Sequence, residues 1–338
     1  MNNFFSGKKV LVAGGTGFVG VNLIKRLLSL DADITATIHR KEPVVIDGRI
    51  KYKRCDLTRM EDCKYAVDNM DYVFLCAANT QGAAVLENNP LSHVTPNILI
   101  NSQMLEAAYF EKVKKILWIS SSTGYPPSGN RRVLEEEMMK GDPDDKYFCV
   151  GWMKRYTEVL CRMYSEKIKE PMTTVVLRPT NIYGEHDDFE FETSHVFAAL
   201  IRRVVERHNP IEVWGTGDDI RDLIYAGDFV DAMLSAMEKV NTYNPINIGL
   251  GKGYSIKEIL QMILEADNYT GAKIVFNPLK PTTIPIRLVD TTMAETVLGF
   301  KARTDLKEGI KKTLKWYREN RQGTVPTLRR GCPRKRND

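Results

Sequence analysis

The sequence predicts an α/β protein: a parallel sheet covered on both faces by helices, with a smaller α/β lobe after it. Two observations carry this. Short apolar, β-branched runs alternate with helical patterns along the first half of the chain, which is the rhythm of βαβ crossovers. The first strand also breaks into spaced glycines just before an amphipathic stretch, a strand-to-helix turn built for close approach. In order, a strand at Lys9 to Ala13 leads to a helix at Val21 to Leu30 and a second strand at Asp33 to Ile38. Then come a helix at Met60 to Val67, a strand at Tyr72 to Cys76 and a helix at Pro96 to Phe110. A strand at Lys115 to Ser120, a helix at Lys146 to Lys167 and a strand at Thr173 to Leu177 complete the alternation. From Asn181 the rhythm loosens: loops at Gly184 to Thr193 and Pro278 to Pro285 interrupt helices at Val196 to Arg207, Ser255 to Ala266 and Leu306 to Asn320.

The glycines are Gly14, Gly17 and Gly20. The first suits a tight turn, the second lets the backbone approach a pyrophosphate, and the third lets helix and strand pack closely. The helix that follows offers unpaired N–H groups and a positive dipole end to an anion. Strand, glycines, helix and second strand together predict a Rossmann-type dinucleotide site involving Gly14, Thr16, Gly17, Phe18, Val19 and Gly20.

Composition narrows the function. With 338 residues and 43% hydrophobic content the chain can bury a large core. No stretch approaches the roughly 18 apolar residues of a membrane span, and Met1 to Lys9 lacks the pattern of a secretory signal, so the expectation is a cytoplasmic protein without membrane association. Six cysteines without Cys-x-x-Cys spacing read as reduced thiols, and no metal site is expected. Residues 321–338 hold six basic residues against Asp338 alone, which accounts for the whole formal charge of +5. The body is therefore balanced and gives no nucleic-acid signal, while the tail is expected to be disordered.

Further motifs fall in one order along the chain. Gly-Gly-Thr-Gly-Phe-Val-Gly is followed by Asp56-Leu57, Cys76-Ala77-Ala78, Asn97, Ser120-Ser121-Ser122 through Tyr125-Pro126, Arg178 through Gly184, and Arg221-Asp222-Leu223-Ile224-Tyr225. This series resembles the extended short-chain dehydrogenase/reductase family of nucleotide-sugar epimerases, dehydratases and reductases. Ser194-His195-Val196 with Arg202-Arg203, the turn at Val213-Trp214-Gly215-Thr216-Gly217, and Lys280-Pro281 leading to Arg287 resemble its GDP-L-fucose synthase branch.

The resemblance implies a dinucleotide-binding domain at 1–180, to which about 226–250 returns, and a sugar-nucleotide lobe at 181–320. It implies a nicotinamide cofactor also touched by Asp56, Leu57, Ala77, Ala78, Asn97 and Lys154, with Ser121 and Lys154 at the reacting sugar. It further implies a GDP-linked sugar held by Asn181, Arg203, Trp214, Arg221 and Arg287, and a homodimer. Arginine suits the diphosphate through its bidentate fork. At the end of the second strand His39-Arg40-Lys41 stand where an acid would select NAD, so NADP is favoured, with NAD bound through other contacts as the alternative.

One position departs from the family. Its acid/base tyrosine lies four residues before its lysine, and here Val150 lies four before Lys154. Valine moves no proton, and losing a general acid/base costs about 10²- to 10⁴-fold in rate. Tyr147, expected on the same helical face as Val150 and Lys154, and His195 are the candidate replacements. Tyr125 and His186 lie in segments expected near the sugar. Three readings stay open: an oxidoreductase or epimerase using another proton donor, a cofactor- or sugar-nucleotide-binding protein that has lost the reaction, and a dehydrogenase or dehydratase that retains NAD.

Overall fold

Val10 and Val12 face one side of the central sheet and Leu11 and Ala13 the other, all four without exposure. A strand covered on both faces needs apolar residues at every position, so its sequence is a run rather than an alternation. The computed structural model describes residues 4–80, 89, 91–280 and 282–321; apart from Arg321, the tail expected to be disordered lies outside them.

The chain opens with β1 (Lys9–Ala13), α1 (Phe18–Leu28), β2 (Asp33–Ile38), β3 (Ile50–Arg54), α2 (Met60–Val67) and β4 (Tyr72–Leu75). It continues through α3 (Leu91–Phe110), β5 (Lys115–Ile119), β6 (Arg132–Val133), α4 (Phe148–Arg162), β7 (Thr173–Pro179) and β8 (Asn181–Tyr183). After α5 (Val196–Val205), β9 (Ile211–Trp214) and β10 (Ile220–Tyr225), helix α6 (Ala226–Lys239) and β11 (Ile246–Ile248) return to the first sheet. The elements β12 (Gly253–Ser255), α7 (Ile256–Ala266), β13 (Ile274–Asn277), β14 (Ile286–Val289), α8 (Thr292–Leu298) and α9 (Leu306–Asn320) follow.

The main sheet is parallel, in the order β11-β7-β5-β4-β1-β2-β3. Its order reverses between β1 and β4, which opens a crevice over their carboxyl ends, where ligands bind in sheets of this kind. The second lobe joins β12-β10-β14-β6 with β8 beside β10, and has its own core of α5, α7 and α9. Ser255 caps α7 in a reciprocal box with Glu258, and Asp305 caps α9.

Two expectations need correction. Helix α3 starts at Leu91, so Pro96 is inside it. Proline cannot donate to the carbonyl four residues back, and that carbonyl, of Ser92, accepts from Asn79 Nδ2 at 2.6 Å instead. Helix α4 starts at Phe148, one residue after Tyr147, and ends at Arg162 in a wide turn, Met163–Lys167, where Lys146 to Lys167 had been expected as one helix. The edge strand β3, Ile-Lys-Tyr-Lys-Arg, has only Ile50 buried and carried no apolar signal.

Candidate active site

Between β1 and α1 the chain turns at Gly14, with φ of 90°, where a Cβ would lie 2.7 Å from the Ala77 backbone. The turn is tied to β2: Gly14 N–H donates to Thr37 Oγ1 at 2.8 Å and Gly15 N–H to Thr37 O at 2.9 Å. A Cβ on Gly20 would meet Gly14 O at 2.2 Å, so this glycine sets helix against turn. Gly17 is the N-cap of α1 and supplies no side-chain cap, which leaves the first N–H groups to an anion. A bare backbone cradle at an uncapped helix start fits a dinucleotide pyrophosphate.

From this cradle a cavity of about 500 Å³ runs past Thr16, Asp56, Leu57, Ala77 and Ala78 to His39, Arg40 and Lys41. Hydrogen bonds from Thr58 hold the Asp56 carboxyl below its ordinary range. Arg54 donates to His39 O at 2.5 Å and pairs with Glu42 at 2.6 Å. Glu42, the acid that follows this rim in the chain, is thus engaged, while His39, Arg40 and Lys41 stay exposed.

A second cavity, about 320 Å³, joins the first at Gly17, Cys76, Ala77 and Ala78. Phe18, Val19, Asn97, Ser121, Val150, Lys154 and His195 line it. Lys154 Nζ donates to Ile119 O at 2.9 Å and lies 4.8 Å over Trp118, and burial pulls its ammonium down to about 8. Ser121 Oγ accepts from Thr123 N–H at 3.1 Å and from Thr123 Oγ1 at 3.0 Å, which leaves its own proton to give. His195 is exposed at the N-cap of α5 and lines the cleft, and desolvation holds its imidazole toward the neutral form.

The far end holds two arginines. Arg221 on β10 and Arg287 on β14 are register partners in adjacent parallel strands, so their guanidinium groups emerge on one face. Arg221 pairs with Asp219 at 3.0 Å and donates to Thr283 Oγ1 at 2.8 Å. Arg287 donates to the carbonyls of Tyr125 and Pro126, each at 3.1 Å; its Nε has no partner among the described residues, and burial pulls it down to about 10. Beyond them a third cavity of about 120 Å³ is shared at Asn181, Tyr147 and His195 and lined by Phe191, Arg203, Glu212 and Trp214. Arg203 lies 4.7 Å over the Phe191 ring, and the buried Trp214 Nε1 has no partner among the described residues.

A family model described as the NAD dependent epimerase/dehydratase family matches residues 10–249. This chain belongs to that family. It is 31% identical over 324 residues to a probable GDP-L-fucose synthase 1 of Oryza sativa subsp. japonica, covering 93% of each chain. It is 29% identical to the GDP-L-fucose synthase of Escherichia coli, covering 93% of this chain and 98% of that one. Among solved structures, a UDP-glucose 4-epimerase of Thermotoga maritima superposes with a TM-score of 0.82 at 25% identity, over 92% of this chain and 99% of that one.

Within the epimerase/dehydratase family the departure at Val150 takes a definite form. The side chain is 7% exposed and forms cavity wall, hydrocarbon on the turn of α4 that precedes Lys154. Tyr147 is not on a continuous α-helix with these two: it caps α4 with φ of −115° and ψ of 12°, and its phenol lies near Thr283, Arg221 and Arg287. Its phenol, pushed up by burial, stands at the arginine end of the cleft. Tyr125 is turned away altogether, fully buried, donating to Asn247 Oδ1 at 2.7 Å and accepting from Arg178 at 2.8 Å. His186 is also outside the cleft; its Nε2 lies 2.6 Å from Lys25 Nζ and its ring packs on Trp316. Arg178 opens the predicted sugar loop but itself pairs with buried Glu158 at 2.5 Å.

The sequence reading missed His93. It lines the central cavity, is 5% exposed, and lies four residues before Asn97, hence on the same face of α3. That spacing was the available signal.

Proposed function

We propose that this chain is an NADP(H)-dependent oxidoreductase or epimerase acting on a GDP-linked sugar. One observation carries the reading. Three cavities join end to end, from a basic rim without a free acid, past Ser121 and Lys154, to paired arginines and an aromatic recess. That sequence of groups suits a 2′-phosphorylated dinucleotide meeting a sugar diphosphate. When bound, the nicotinamide supplies or takes up hydride. The residues of this chain do the rest: Lys154 donates to ribose hydroxyls, Ser121 orients the sugar oxygen, Arg221 and Arg287 neutralise the diphosphate, and Arg203 and Trp214 border the recess for the base. Asn181 stands where the two ligands meet.

The division at 1–180 with about 226–250, and 181–320, is part of this proposal, supported by the return of β11 to pair with β7. A homodimer belongs to the same proposal. Phe148, Trp152, Tyr156 and Val159 are between 41% and 54% exposed and recur at helical spacing along α4, a stripe suited to a second copy of the helix. Tyr156→Glu should shift the sedimenting species toward monomer.

The second reading, a binding protein that has lost the reaction, is favoured by Val150 alone. Mass spectrometry of nucleotides released from the purified protein, followed by assay with NADPH, separates them. Release of NADP and a GDP-sugar, with turnover, supports the enzyme; tightly held ligands without turnover support the binding protein.

A further inference from the structure

We propose that His93 exchanges the proton with the reacting sugar oxygen, the task left vacant by Val150. The inference rests on the function proposed above and assigns one group within it.

The entry of α3 is fixed with unusual completeness. Asn97 Nδ2 donates to His93 O at 2.7 Å and to Asn79 O at 2.9 Å, while Asn97 Oδ1 accepts from Asn79 N–H at 2.8 Å. Asn79 Nδ2 donates to the Ser92 carbonyl, to which Pro96 has no N–H to give. The segment after β4 and the first turn of α3 are thereby locked together, which aims the His93 ring at the same cavity as Val150, Ser121 and Lys154. Its Nδ1 is buried and has no hydrogen-bond partner among the described residues. A ring serving only as wall would be better replaced by a phenylalanine, since an orphaned buried polar atom is costly and buried polar groups are ordinarily paired. That nitrogen is closed to solvent, so an arriving hydroxyl meets the ring at Nε2, on the side of the cavity.

Charge around the ring keeps it unprotonated at neutral pH, with a lone pair free to accept. Burial first, then Lys154 from α4 and His195 from the approach to α5, hold the imidazole toward the neutral form, down to about 4. A neutral ring accepts a proton from a sugar hydroxyl: the O–H bond breaks, an N–H bond forms, and the C–H electron pair leaves as hydride to an oxidised nicotinamide. In the reducing direction the ring takes a proton from water and passes it to the carbonyl oxygen as that carbon gains hydride.

The test uses the full chain with NADP⁺, NADPH, GDP-mannose and GDP-4-keto-6-deoxymannose as probes. In histidine-labelled protein the His93 resonances, identified by their loss in His93→Phe, are followed by NMR. The ring should move when GDP-mannose joins the NADP⁺ complex; binding of both without any change at His93 overturns the proposal. In NADPH oxidation with the ketone, His93→Gln and His93→Phe should lower kcat by about 10²- to 10⁴-fold with dinucleotide affinity unchanged. Adding Val150→Tyr to His93→Gln should restore at least about tenfold of that loss. Equal kcat in wild type and both His93 variants overturns the assignment, and if the ketone is not turned over the NMR result decides alone. Failure of the wild type to bind either nucleotide would sink the proposed function and this assignment with it, an outcome distinguishable because a wrong assignment leaves binding intact.

Discussion

Gly17 and Gly20 stand three residues apart in one motif, yet replacing each should fail for a different reason. At Gly17 φ is −84° and ψ 165°, extended backbone open to any residue, and a Cβ would find Gly14 O at 3.3 Å, tight but tolerable. Gly17→Ala and Gly17→Leu should therefore change stability by no more than about 1 kcal/mol, the entropy lost by glycine in the unfolded chain offsetting the close contact. Their side chains project into the cradle, so NADPH should bind at least about tenfold more weakly to Gly17→Leu, or about 1.4 kcal/mol. At Gly20 a Cβ would lie 2.2 Å from Gly14 O, so helix and turn must separate by roughly 1 Å before contact is ordinary. Overpacking of that kind costs about 1–3 kcal/mol and should lower Tm by several degrees at about 2–4 °C per kcal/mol. Fluorescence titration with NADPH and a thermal melt on each variant make the comparison. A folded Gly17→Leu that binds NADPH like the wild type, or a Gly20→Ala with unchanged Tm, would refute the reasoning.

Replacing His39 and Arg40 together by Asp and Leu should move preference from NADP toward NAD, read as the ratio of the two Kd values; a wild type that already prefers NAD contradicts the assignment of the rim. Glu158→Gln leaves Arg178 buried with a neutral partner and one acceptor oxygen to serve both Arg178 and Ser120, so it should cost about 3–5 kcal/mol in denaturant unfolding. Because burial brings Lys154 down to about 8, it is cationic at neutral pH and loses its proton as pH rises through that value. Dinucleotide affinity should be flat below pH 7 and fall above pH 8, and Lys154→Met should bind weakly at every pH without that step.

The sequence by itself determined the parts of this protein that local chemistry encodes. Strands covered on both faces require unbroken apolar runs, so β1, β4, β5 and β7 were legible, as was the glycine turn, where each position answers a nearby steric demand. The polar edge strand β3 was not, because pairing rather than burial makes it a strand, and the strands of the second lobe are too short or too charged to read as apolar runs. The tertiary structure alone decided where side chains point. It set Arg221 beside Arg287 through the register of β10 and β14, took Tyr125 into the core and placed Tyr147 at the arginine end. It also brought His93 to the cavity that Val150 lines. Spacing along a chain says which residues share a face of one element. Which elements those faces meet is settled only when sheet register and helix entry are fixed by contacts far apart in sequence.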